Sequence, residues 1–239
     1  MYEQKSMDNL FDDYYKCAKT KPDYRYKKEK TKFEFGVVAG LSSTKLLFSS
    51  SDEYRYRYIV NVDYPASNKF AGGLLFDIVM ARNQRRWSIY NELIYTSFSA
   101  NQHFEEITNQ DIYTFIDTKI DYSYLKLNSL LRYKYLVKDD WFLYTNLGLS
   151  FGQVIAGSNS IITDKTILGN NTITEKELFT YSKIETGLVA GLGGGYKKYS
   201  FEARYERGDG ISGMNSLRSR TNRLYFLLGY RFWGIVNSE

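Results

Sequence analysis

The sequence predicts an all-β protein: a transmembrane, up-and-down antiparallel β-barrel of about eight strands, preceded by a short N-terminal helix. Three observations carry this expectation. The first is the closing run Leu224-Tyr225-Phe226-Leu227-Leu228-Gly229-Tyr230-Arg231-Phe232-Trp233, in which Leu224, Phe226, Leu228, Tyr230 and Phe232 share one face. Arg223, Tyr225, Leu227, Gly229 and Arg231 share the other. A strand shows alternate side chains to opposite faces, so this strand has one greasy side and one mixed, charged side. The second is composition: 17% aromatic, with 23 Tyr and 15 Phe, against 2 Pro in 239 residues. Tyr and Phe favour strands, whereas Pro cannot donate to a ladder. The third is that long and short connections alternate, as in membrane barrels with tight periplasmic turns and long outer loops.

The elements follow in order. Residues 1–32 form a polar segment with a helix near 8–18, where Leu10, Phe11, Tyr14, Tyr15 and Ala18 recur at helical spacing and Asp8 is an N-cap candidate. The charged connector Lys19 to Lys32 reads as a linker or plug on the periplasmic side. The barrel proper is expected over 33–233. Its first strand, near 33–47, places Phe33, Phe35, Val37, Ala39 and Leu41 opposite Glu34, Gly36 and Val38. The second, near 69–81, sets Leu74, Phe76, Ile78 and Met80 against Leu75, Asp77 and Val79. The third, near 86–99, sets Trp87, Ile89, Leu93 and Tyr95 against Glu92. The fourth, near 119–137, opposes Leu125, Leu127, Leu131, Tyr133 and Tyr135 to Lys126, Asn128, Arg132 and Lys134.

The fifth, near 141–156, opposes Trp141, Leu143, Leu147, Leu149 and Phe151 to Tyr144, Asn146, Gly148 and Ser150. The sixth, near 180–196, opposes Ile184, Leu188, Leu192 and Tyr196 to Lys183, Glu185 and three glycines. The seventh, near 199–207, opposes Tyr199, Phe201, Ala203 and Tyr205 to Glu202, Arg204 and Glu206; the closing strand is the eighth, and residues 234–239 are a tail. Long connections fall near 48–68, 100–118, 157–179 and 208–220, with short ones at Arg82 to Arg85, Lys138 to Asp140 and Lys197-Lys198. Residues 54–63 could extend the sheet to ten strands.

Eight strands leave an interior that side chains fill. Glu34, Asp77, Glu92, Glu185, Glu202 and Glu206 would there meet Lys126, Arg132, Lys134, Lys183, Arg204, Arg223 and Arg231. Buried charges persist when paired and hydrogen-bonded, so the sequence predicts a closed, ion-paired core without an open pore. Trp87, Tyr133, Tyr135, Trp141, Tyr199, Tyr230 and Trp233 would form an aromatic girdle near the periplasmic strand ends.

Other signals are weak. The net charge of +5 is spread along the chain, so it permits an anionic partner without requiring one. Cys17 and His103 are the only Cys and His, which leaves no disulfide, no zinc spacing and no cofactor site. No apolar run is long enough for a membrane helix. Met1 to Lys32 resembles no secretory signal, so the chain is expected to start after a processing site or to be part of something longer. Gly191-Leu192-Gly193-Gly194-Gly195 leads into a strand, not into the helix a dinucleotide loop needs. Arg55-Tyr56-Arg57-Tyr58 interleaves basic and aromatic residues, but a single such run in an outer loop gives no reason to expect a nucleic-acid partner; contact with lipopolysaccharide is the modest functional version. Arg207-Gly208-Asp209 is a chance-level tripeptide. Cys17 reads as a partly buried helix residue, and His103 beside Glu105 and Glu106 as a solvated loop.

Phe35-Gly36-Val37-Val38-Ala39-Gly40-Leu41-Ser42, Trp87-Ser88-Ile89-Tyr90-Asn91-Glu92-Leu93-Ile94-Tyr95 and Tyr124 to Tyr133 resemble successive strands of the PorT-like outer-membrane β-barrel family of Bacteroidota. Gly229-Tyr230-Arg231-Phe232 resembles that family's closing strand, while Asn128-Ser129 stands where it often has Pro. Asn9 to Cys17 resembles a run between a periplasmic domain and a barrel in larger proteins of that group. The resemblance implies the outer membrane as compartment, lipid including lipopolysaccharide and envelope proteins as partners, and a non-enzymatic role in assembly or secretion. It supplies no catalytic residue. Two rival readings are an outer-membrane lipid-modifying enzyme using His103, and a soluble lipocalin-like barrel with its apolar faces turned inward.

Overall fold

The computed structural model describes residues 4–18, 30–60, 62–81, 85–109, 112–138, 140–167 and 170–236. Among these residues one helix, α1 (Gln4–Cys17), precedes nine strands: β1 (Lys32–Ser50), β2 (Ser67–Val79), β3 (Trp87–Asn109), β4 (Ile112–Lys138), β5 (Trp141–Ile167), β6 (Asn170–Glu177), β7 (Ile184–Tyr196), β8 (Tyr199–Gly208) and β9 (Leu217–Val236). Every strand but β6 joins an antiparallel ring in the order β1-β2-β3-β4-β5-β7-β8-β9, and β9 closes back on β1 from Lys32↔Val236 to Ser50↔Leu217. Closure leaves this wall no free edge. The wall is therefore eight-stranded, as the period-two pattern requires.

The faces follow the alternation. Leu41, Phe70, Leu74, Leu147, Leu188, Leu192 and Leu228 point outward and are at least 60% exposed. Val38, Leu75, Ile94, Leu130, Val189 and Leu227 point inward and pack with Tyr90 and Tyr225. A soluble barrel would place its largest apolar side chains inside. Here they form the outer band, so the lipocalin-like reading is corrected. On β1, β5 and β9 the apolar outer run covers about 9–11 residues, enough for a tilted strand to cross a bilayer: Phe33 to Leu41 on β1, Trp141 to Phe151 on β5, Leu224 to Trp233 on β9.

Several expectations at the loop end need correction. The segments 100–118 and 157–179 are mostly strand, not loop. β3 and β4 stay paired up to Asn109↔Ile112, β4 and β5 up to Ile112↔Ile167, and β6 adds to β5 from Ser160↔Glu177 to Ile167↔Asn170. Thus β3, β4, β5 and β6 rise beyond the ring as one sheet. Their sequence hid this because both faces of that sheet carry polar residues, which removes the alternation that marks a half-buried strand. Residues 54–60 form turns and add no strands. β7 begins at Ile184, four residues later than expected. The proposed tail also fails at its start, because Gly234, Ile235 and Val236 belong to β9.

At the opposite end, the short turns bring β2 to β3, β4 to β5 and β7 to β8, with both barrel termini alongside. Lys197, in the two-residue β7–β8 turn, has φ +52. Helix α1 starts at Gln4, so Asp8 lies within it and is not its cap. Leu10, Phe11, Tyr14 and Cys17 are exposed, the last against expectation. Most of the expected connector, residues 19–29, lies outside the described residues, as do 237–239. Among the described residues no helix is long and apolar enough to cross a membrane.

Candidate functional site: the barrel interior and its outer cap

Inward polar residues stack in three layers from the loop end to the turn end. In the first, Lys126 pairs with Glu206 and, at 3.1 Å, with Glu185. Arg223 Nη1 lies 2.9 Å from Glu185 and 3.0 Å from Glu206. The Thr221 hydroxyl donates to Glu185, and the Tyr225 hydroxyl donates to Glu206 Oε2 at 3.1 Å. In the second, Arg204 pairs with Glu92 and donates from Nε to Glu202 Oε1 at 2.8 Å. Arg132 donates to Glu202 Oε2 at 3.1 Å and to Asn146 Oδ1 at 2.9 Å. Asn128 donates to Glu92 Oε1 at 2.7 Å.

The Arg132 guanidinium also sits 3.7 Å and 4.1 Å from the ring centroids of Tyr90 and Tyr144, between two π-faces that favour a desolvated cation. In the third layer Asp77 meets Lys134 at 3.2 Å, Arg132 at 3.9 Å and Arg231 at 3.9 Å. Glu34 meets Lys32 at 2.8 Å and Arg231 at 3.2 Å.

Twelve of the thirteen charged residues expected inside are therefore brought together; Lys183 is not. It is exposed and lies before β7 starts, so the strand alternation that placed it beside Glu185 does not extend to it. Sequence reasoning did not single out Tyr90, Asn128, Asn146, Thr221 and Tyr225 as partners of the charges. The available signal was position: each shares the inward parity of its strand.

The glycines of β7 make room for this filling. A Cβ at Gly193 would collide with the Tyr144 ring, and one at Gly195 with the Phe142 ring. The glycine run is thus space for side chains from β5.

An apolar cap lies over the charged layers. Tyr56, Ile59, Val60 and Tyr64 of the 51–66 connection fold over the mouth against Phe98, Ile120, Tyr122, Phe179, Ile211 and Leu217. Tyr56 also hydrogen-bonds the Ser216 hydroxyl at 3.0 Å. Burial pushes the Tyr64 phenol up to about 12. Of the basic-aromatic run, Tyr56 is therefore a packing residue, and Arg57 lies over Tyr58 and 3.3 Å from Glu106.

The remaining motifs resolve locally. Asp209 of the Arg207-Gly208-Asp209 run accepts hydrogen bonds from the Thr186 backbone at 2.9 Å and hydroxyl at 2.7 Å, so its carboxylate is committed. His103 is in β3, not in a loop; its Nδ1 is 2.7 Å from Asp117 and its ring stacks near Phe115. Among the described residues no group of three or more His, Cys, Asp or Glu could hold a metal ion.

The seven residues expected to form the aromatic girdle, Trp87, Tyr133, Tyr135, Trp141, Tyr199, Tyr230 and Trp233, face outward at the turn end. Trp87 packs on Tyr133 at 4.7 Å and Tyr133 on Tyr135 at 4.6 Å. Trp141 packs on Tyr196 at 4.9 Å, Tyr199 on Tyr230 at 5.1 Å and Trp233 on Phe35 at 5.5 Å.

A closed antiparallel ring with an apolar outer band and a polar filling defines a membrane β-barrel of the outer-membrane class. The family model for the outer membrane protein β-barrel domain matches residues 19–208, and the chain belongs to that family. It is a protein of the outer membrane. The match ends at the last residue of β8, before the closing strand. No curated protein matches the chain. Solved structures it is similar to include Ail of Yersinia pestis in complex with the heparin analogue sucrose octasulfate, at 16% identity and TM-score 0.38, covering 84% of this chain and 99% of that one. Neisserial surface protein A is similar at 13% identity and TM-score 0.39, with 83% and 97% covered. OprG of Pseudomonas aeruginosa is similar at 13% identity and TM-score 0.38, with 86% and 97% covered.

Proposed function

We propose that this chain is a closed, non-enzymatic barrel that acts as a structural and interaction module of the envelope, holding a tall β-sheet out from the outer membrane. The observation that carries the reading is the filled lumen: three layers of mutually paired charges beneath an apolar cap. Water and ions crossing it would have to break buried ion pairs, each costing several kcal/mol. Purified chain in planar bilayers is expected to give no stepwise conductance; reproducible open channels at low voltage would overturn the reading.

The surfaces available to partners are at the loop end. β6 is exposed throughout and leaves one strand edge unpaired, the kind of edge that recruits another strand. Arg207, Arg218 and Arg220 lie exposed on the outer side just above the apolar band, with Lys45 beside them. They support contact with the phosphates of lipopolysaccharide. The strand motifs support a place among PorT-like barrels of Bacteroidota and, with it, a role in envelope assembly or protein secretion. Crosslinking from a photoreactive residue at Thr174 of β6 is expected to trap an envelope protein; labelling of lipopolysaccharide alone would remove the protein-partner part of the proposal.

A further inference from the structure

The three charged layers are not equivalent. In the first, two cations (Lys126, Arg223) face two carboxylates (Glu185, Glu206). In the second, Arg132 and Arg204 face Glu92 and Glu202. Each is neutral by itself. In the third, Glu34 and Asp77 face Lys32, Lys134 and Arg231, so one positive charge is left over. Lys197 and Lys198 stand at the rim of the same mouth, and among the described residues Asp140, 3.6 Å from Lys197, is the carboxylate paired with them. Among these described residues the surplus is two positive charges.

The centre of the surplus is Arg231. It is 7% exposed, yet none of its guanidinium nitrogens makes a hydrogen bond to a described residue, and its contacts to Glu34 and Asp77 are ion pairs only. A buried guanidinium with free donors is expensive and calls for an acceptor. Arg231 lines a cavity of about 320 Å³ with Lys32, Glu34, Lys134 and Phe142, open at the turn end of the barrel. On its outer side that cavity is bounded by Phe232 and Trp233, 51% and 57% exposed. Trp233 belongs to the outward aromatic set. The cavity thus runs from a cationic lumen mouth to the lipid-facing wall.

We propose that this mouth binds the phosphate of an anionic phospholipid of the inner leaflet. The phosphodiester oxygens would accept hydrogen bonds from Arg231, with Lys134 and the rim lysines adding charge. The acyl chains would stay outside along Phe232 and Trp233. A free phosphate shares the headgroup's chemistry but would leave that apolar wall unused. The inference goes beyond the interaction-module reading and concerns the opposite face of the barrel.

The test is native mass spectrometry of the full chain, delipidated in detergent and then exposed to equimolar phosphatidylglycerol and phosphatidylcholine. The expected result is at least tenfold more retained phosphatidylglycerol. Arg231→Gln is expected to abolish that preference while keeping the heat-dependent gel shift of a folded barrel, because Glu34 and Asp77 keep their lysines. Equal retention of the two lipids by the unaltered chain would overturn the proposal, whether or not the variant folds. A preference unchanged in a folded Arg231→Gln would also overturn it. Displacement of the lipid by millimolar inorganic phosphate, with no difference between the two lipids, would assign the site to free phosphate and overturn the lipid assignment.

Discussion

Arg204 illustrates what the residue scale demands. Its guanidinium serves Glu92 and Glu202 at once, and all three groups are at most 3% exposed. Removing one member of a buried set leaves an uncompensated charge, which costs about 3–5 kcal/mol. Arg204→Met should therefore lower the urea midpoint of the detergent-solubilised barrel markedly. The double variant Arg204→Met with Glu92→Met should regain much of the loss, since Glu202 keeps Arg132; a double variant as unstable as the single one would show that the pair itself is not the cause. Gly195 makes the steric counterpart. Gly195→Ala drives a methyl into the Phe142 ring and should destabilise the closed barrel, and Phe142→Ala in the same chain should restore the heat-dependent gel shift.

At the scale of elements, the long β3–β4 hairpin and the wall beneath it are separable. β3 leaves β2 after Thr96, and from there it pairs with β4 alone. Ser97 to Asn109 at about 3.4 Å per residue reaches roughly 40 Å beyond that point. Replacing residues 103–117 by an Asn-Gly turn should thus leave a folded, heat-modifiable barrel, as the cap residues Phe98, Ala100 and Ile120 remain; failure to insert would show that the sheet templates the wall. The 51–66 cap carries its own pH response. The Tyr64 phenol is held above the ordinary tyrosine value by burial, so the neutral form is the one the fold favours. Its stabilising contribution is whole below pH 10 and fades as pH rises through about 12. Tyr64→Phe keeps the ring in place and removes the titration. Its melting midpoint should fall less steeply between pH 10 and 12 than that of the unaltered chain.

For the whole molecule, ring closure decides behaviour. Eight strands with no free edge in the wall unfold as a unit, so unboiled protein in sodium dodecyl sulfate should migrate ahead of boiled protein, and membranes should retain it against alkaline carbonate. The strand count of the closed wall, the inward and outward faces and most of the interior charges were legible in the sequence, while β6 was not. A pleated strand has a side-chain period of two, and a lipid-facing wall turns that period into a visible pattern from Phe33 to Trp233. The same pattern misplaced Lys183, because parity says which face a residue takes only where a strand exists. It could not show that 100–118 and 157–179 are strands, since above the membrane water solvates both faces and no alternation is imposed. Nor could it show which charges meet: Arg132 with Glu202, or Arg204 with Glu92, are partners across the lumen, far apart in the chain. The sequence by itself determined a membrane barrel with charges inside, through local periodicity. Only the tertiary structure decided the pairing of those charges, the surplus cation at Arg231 and the cap from the first connection, because each depends on which strands closure brings face to face.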